Sequence, residues 1–228
     1  MKNKAHPVLS IITLALVIGA ACASADPQLD SWFTACTGRY ARIYTTDATK
    51  AAGASVTTWT NGSLEQSLPA YDGVQEVDES SNWVYVHSTG LGSHVMGPWY
   101  QDAAHTTAFP NFPVNQQEIF RIPRTPTGGT NTLNGGGPIG IFDDGVAMFN
   151  SWDAFYWNGT EDTQGGASGG YWNRDAYVNE GVTFDSANAH QPQSGQYHYH
   201  ANPPALRYFL GDHVNFDAAT DTYSEATN

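Results

Sequence analysis

The stretch Gly195-Gln196-Tyr197-His198-Tyr199-His200 alternates aromatic and imidazole side chains with a period of two. On a pleated strand residues i and i+2 share a face, so His198 and His200 project together while Tyr197 and Tyr199 project from the opposite side. Neutral imidazole is the commonest protein ligand for zinc, copper, nickel and iron, and a pair on one face needs only one or two more donors. His190, in Ala189-His190-Gln191-Pro192 just ahead of the turn into this strand, can fold back as a third. The plain alternative is a pair of solvated histidines on an exposed strand face. Tyr197 and Tyr199 either line a substrate pocket or pack in the core, and the core is where large half-apolar side chains of a strand are expected.

Three imidazoles with an open fourth position would suit Zn²⁺ or Cu²⁺. Zinc lowers the pKa of its bound water toward ~7 and so supports hydrolysis, whereas copper supports redox chemistry, and the residue types do not select between them. His87, His105 and His213 read as surface or satisfied histidines. The acidic pairs, such as Glu161 with Asp162, lack the alternating oxygen ligands of an EF-hand loop. Phosphate-loop and Cys-x-x-Cys motifs are absent from the sequence, and the Gly-x-Ser-x-Gly match at Gly166 to Gly170 lies inside the Gly-rich run rather than in a strand-to-helix elbow, which argues against serine-based and nucleotide-dependent chemistry.

The elements that must position these residues are mainly strands. Apolar or alternating runs predict strands at 40–45, 56–60, 83–87, 118–122, 139–142, 146–149, 155–157 and 197–200. Asp143-Asp144-Gly145 between two of them is a hairpin turn, and a carboxylate such as Asp144 carried there would be held rigidly enough to act as a ligand or to orient one. Leu29, Trp32, Phe33 and Cys36 form one apolar stripe, predicting a short helix over 26–37. Asn202 as cap, Pro203 in the first turn and Gly211 as stop predict another directly after the histidine strand, covering one side of the site. The Gly-rich segment 158–181 reads as an irregular excursion, and the acidic tail after Asn215 as frayed. The expected fold is a β-sandwich or related irregular all-β domain with short helices, one domain over residues 26–228.

With these blocks in view, the chain resembles the bacterial and algal exported proteins named for the Tyr-His-Tyr-His motif, the YHYH family. The resemblance rests on the strand, Asp144-Gly145 turn and strand of Ile139 to Phe149, then His190, then Gly195 to His200, then the Pro203 to Gly211 segment. A further block, Val84-Tyr85-Val86 followed by Gly90-Leu91-Gly92-Ser93-His94, adds His94 as a candidate ligand and extends the similar region to about 82–211. Two departures stand out. Ala189 occupies the place of a Gly before the loop histidine, and a Cys carried after the motif by many relatives is missing, so the resemblance implies no disulfide there. Metal binding in the family is itself inferred from its histidines.

Met1-Lys2-Asn3-Lys4, an apolar run from Val8 to Ala21 and the small-residue site Ala23-Ser24-Ala25 read as a secretory signal cleaved after Ala25, giving a secreted or periplasmic protein. The apolar run is too short to span a bilayer, and no later segment qualifies. Lipidation at Cys22 is the lesser alternative, because Gly19 stands where Leu or Val is expected. Cleavage leaves Cys36 as an unpaired thiol. The formal net charge is −13, from 22 acids against 9 Lys and Arg, and cleavage removes Lys2 and Lys4 but no acid. Such a surface repels nucleic acid and anionic membranes. Three classes of function remain: a metal-binding protein holding copper or zinc, a metal-dependent hydrolase or oxidase on the same residues, and a module that binds a small molecule, polysaccharide or surface through its aromatics.

Overall fold

Alternation in Trp83-Val84-Tyr85-Val86-His87-Ser88 puts Val84 and Val86 fully inside and their neighbours half outside, which is how a strand with one covered face is built. The structure is a computed structural model describing residues 27–33, 38–61, 64–130, 134, 136–166 and 172–227. The signal segment, Cys22 and Cys36 lie outside the described residues.

In chain order the elements begin with α1 (Pro27–Asp30), β1 (Arg42–Ile43), α2 (Asp47–Ala51), β2 (Trp59–Asn61), β3 (Leu64–Gln66), β4 (Val74–Glu79), β5 (Trp83–Ser88), β6 (Val95–Met96) and β7 (Glu118–Pro123). They continue with β8 (Pro138–Ile141), β9 (Ala147–Phe149), β10 (Trp152–Trp157), β11 (Asp162–Gln164), β12 (Asn173–Asp175) and α3 (Ala176–Glu180). The last are β13 (Ala189–His190), β14 (His198–Tyr199), α4 (Pro204–Phe209), β15 (Val214–Asp217) and β16 (Thr222–Glu225). The described residues are mainly β, in several small sheets with few short helices and no barrel among them.

The sheet that matters has the order β13-β14-β9-β8. β8 and β9 form the hairpin expected around Asp144-Gly145. Gly145 takes φ +79°, and a Cβ there would lie 2.5 Å from Ser88 Oγ, so only glycine fits. β14 pairs parallel with β9 and antiparallel with β13. A parallel pair needs a long crossover, and this one contains β10, β11, β12, α3 and β13. The Gly-rich segment read as an irregular excursion is therefore structured in its described part. β11 and β12 flank β10, and Arg174 on β12 is tied to Asp153 on β10 by 2.5 and 2.8 Å contacts.

Other expectations need correction. The first helix ends at Asp30 and does not reach Trp32 or Phe33; Phe33 instead pairs by backbone with Asp143 and Val74, and residues 34–37 lie outside the described set. The helix after the motif begins at Pro204 with Pro203 as its cap residue, so Asn202 does not cap it. It packs on β15 and β16. The tail is a hairpin because Asp217 accepts from Ala219 N–H and the Thr220 hydroxyl in a tight turn, while Phe216 and Tyr223 pair at 4.9 Å between centroids. The main core, including Leu91, Met96, Trp99, Val146, Tyr197 and Tyr199, sits on the tyrosine face of β14. Among the described residues no helix is long and apolar enough to cross a membrane.

Candidate metal centre

Period-two alternation holds through the motif. Tyr197 and Tyr199 are fully buried, and each hydroxyl donates to a buried aspartate: Tyr197 to Asp185 Oδ2 at 2.7 Å and Tyr199 to Asp144 Oδ2 at 2.9 Å. These two bonds fix the strand from its core side. On the other side the antiparallel register sets His190 directly opposite His198, with His200 two residues further on. One ring nitrogen from each of the three histidines lies within 4.8 Å of the other two.

Hydrogen bonding decides which nitrogen carries the proton. His198 Nδ1 meets the Gln196 carbonyl at 2.9 Å and His200 Nδ1 meets the Asn150 carbonyl at 2.7 Å. A carbonyl only accepts, so both Nδ1 atoms bear hydrogen. His190 Nδ1 lies 2.7 Å from Thr183 Oγ1, whose own proton goes to the Glu180 carbonyl at 2.7 Å. The hydroxyl oxygen must therefore accept from His190 Nδ1–H. A neutral imidazole has one N–H, which leaves all three Nε2 atoms as bare lone pairs. Two of them, on His198 and His200, face each other at 2.9 Å with no proton to share.

The rings are held neutral by their surroundings. Phe149 stacks on His198 at 3.8 Å between centroids, and Phe184 packs edge-on against His190 at 4.9 Å. Burial lowers the pKa of His190 to about 3 and that of His198 well below the usual range, each pushed further down by a neighbouring histidine. Burial also lowers His200, against upward pulls from the Asn150 carbonyl and from Asp153.

A carboxylate adjoins the cluster that the sequence did not single out. Glu180, the last residue of α3, places Oε2 3.6 Å from His200 Nε2 and 3.8 Å from His190 Nε2. Its own pKa is raised to about 7, first by burial and then by Asp153. The three histidines and Glu180 line a cavity of about 250 Å³ with Phe109, Phe149 and Trp152 among its walls. Thr183, which aims His190, was also missed. Both follow from a short helix that the sequence reading did not include, capped by Asp175 through its bond to Val178 N–H.

The remaining expected residues lie on the tyrosine side. His94 is buried with Nε2 2.9 Å from Tyr197 Oη, and since that hydroxyl donates to Asp185, His94 Nε2 must be the donor. His94 Nδ1 has no partner among the described residues. The structure does not bring His94 to the triad. Asp144 holds Tyr199 and the Val146 N–H rather than touching a histidine ring. Neither Tyr197 nor Tyr199 lines the cavity, and no residue of α4 does, whereas Glu180 at the end of α3 does. A second group, the exposed Glu76 and Asp78 with the half-buried His87, converges across the β4–β5 pair.

The blocks around the cavity can be compared with known proteins. Residues 119–223 match the family model described as YHYH protein. The YHYH resemblance is thereby shown. The YHYH match contains the Asp144 hairpin, the triad, Glu180 and α4, and runs past the expected end at 211 to include β15. It begins after His94, so the upstream block lies outside it. No curated protein and no solved structure matched the chain.

Proposed function

We propose that this is an exported protein whose His190, His198 and His200 hold a transition metal, copper or zinc. One observation carries the reading: three bare imidazole lone pairs converge, two of them at 2.9 Å, a contact that is repulsive unless a cation sits between them. A proton could serve, but apolar walls depress the basicity of all three rings, and a metal uses all three lone pairs where a proton uses two. Export rests on the leader-like sequence.

The cavity supports a second reading, turnover of a small molecule, because it gives solvent-sized species access to the same nitrogens. Bound zinc would supply an activated water, and bound copper a one-electron couple. The surface-binding reading rests on Trp157 and Trp172, exposed neighbours across the β10–β12 pair; loss of polysaccharide retention in Trp172→Ala would support it, and no retention by wild type would remove it.

Elemental analysis of untagged protein tests the main reading. About one equivalent of copper or zinc is expected in wild type and none in the His198→Ala, His200→Ala double variant. Equal metal in both, or none in wild type after reconstitution, would defeat it.

A further inference from the structure

We propose that Glu180 is the fourth protein ligand of this centre, so that a divalent cation is held by three imidazole nitrogens and one carboxylate oxygen. The proposal rests on the metal reading above and adds a residue to it.

Ligand spacing is the first reason. With metal bonds of about 2.0 to 2.1 Å, adjacent ligand atoms are about 3 Å apart at right angles and about 3.4 Å apart in a tetrahedron. The His198–His200 nitrogen separation of 2.9 Å matches the first, and Glu180 Oε2 at 3.6 and 3.8 Å from two nitrogens lies a few tenths of an ångström beyond the second. Glu180 stands outside the group of three histidines whose nitrogens lie within 4.8 Å of one another, so its carboxylate must swing toward His198 to complete the set.

Partnering is the second reason. Among the described residues no Lys or Arg pairs with Glu180 and no donor hydrogen-bonds its carboxylate, while Arg174 is committed to Asp153 and Asp162. Among the described residues this half-buried carboxylate lies beside two neutral rings, those of His190 and His200, with no permanent cation in contact with it. Three neutral imidazoles around a divalent ion in an apolar-walled cavity leave the complementary deficit, a double positive charge that one carboxylate halves. Chain geometry supplies the third. The turn of residues 181–183 joins Glu180 to Thr183, whose hydroxyl binds the Glu180 carbonyl and the His190 ring together, so carboxylate and imidazole are set by one short segment.

The test uses the full mature chain loaded with zinc or cobalt(II), compared with Glu180→Gln. The expected result is a zinc Kd raised by ~10-fold or more in chelator competition and a changed cobalt visible spectrum. Glu180→Ala should show the same loss, with acetate restoring the wild-type spectrum. An unchanged Kd and spectrum in Glu180→Gln, with wild type still holding one equivalent, would overturn this proposal alone and put Glu180 beside the bound water instead. Wild type that takes up neither zinc nor cobalt(II), and no copper when that is offered instead, would overturn the metal reading and this proposal together.

Discussion

Thr183 passes its proton to the Glu180 carbonyl and takes one from His190, so the aim of His190 Nε2 depends on a single hydroxyl. Groups that orient a metal-binding histidine typically contribute 10–100-fold in affinity. Thr183→Val keeps the shape, removes the acceptor and frees the ring to rotate; zinc affinity should fall by ~10-fold or more, and Thr183→Ser should recover most of it. A chelator titration in which valine binds as tightly as threonine would show that Phe184 packing alone holds the ring. The three histidines were legible because two stand at strand period and the third precedes a turn. Thr183 and Glu180 were not, since they belong to a five-residue helix and a short turn without periodic neighbours, and they reach the site only through tertiary pairing.

At the scale of elements, the β8–β9 hairpin acts on the motif through Asp144, whose carboxyl is pushed up to about 6, chiefly by burial, against the downward pulls of the Tyr199 hydroxyl and Val146 N–H. In the unfolded chain an aspartate titrates near ~4. A raised folded value means that the native state holds the proton more tightly, so this contribution is complete below ~4 and is lost as pH rises through 6, on the order of 3 kcal/mol in all. Asp144→Asn abolishes the titration. Relative to wild type its stability should improve steadily from pH 4 to pH 7 in urea unfolding, whatever the constant cost of the altered hydrogen bonds; a difference flat with pH would refute the assignment. The turn that leads into β14 is set by Gly195 at φ +75°, where an added Cβ would lie 2.8 Å from Val114 Cγ2 and 3.2 Å from the Phe112 carbonyl. Gly195→Ala should cost about 2 kcal/mol or more, read as a lowered urea midpoint. Strands rich in apolar alternation, such as β5 and β9, were readable in advance. The polar two- and three-residue strands, β3, β11, β12 and β13, were not, because pairing partners rather than their own propensities make them strands.

Across the whole molecule, the class was readable from glycine and aromatic content, yet the parallel β9–β14 pair was not, because a crossover of nearly fifty residues leaves no local trace in either strand. That crossover also makes metal binding a property of the fold. The proposed ligands come from β13, β14, the residue after β14 and the end of α3, so an unfolded chain offers no assembled site and bound metal stabilises the native state alone. At free metal 100-fold above Kd the gain is ~2.7 kcal/mol, which for a chain of this size raises Tm by roughly 5–11 °C. Zinc or copper should produce that shift in wild type and none in the His198→Ala, His200→Ala variant, measured by thermal unfolding at fixed pH. Equal shifts in the two proteins would place the binding elsewhere, with the Glu76, Asp78 and His87 group as the next position to mutate.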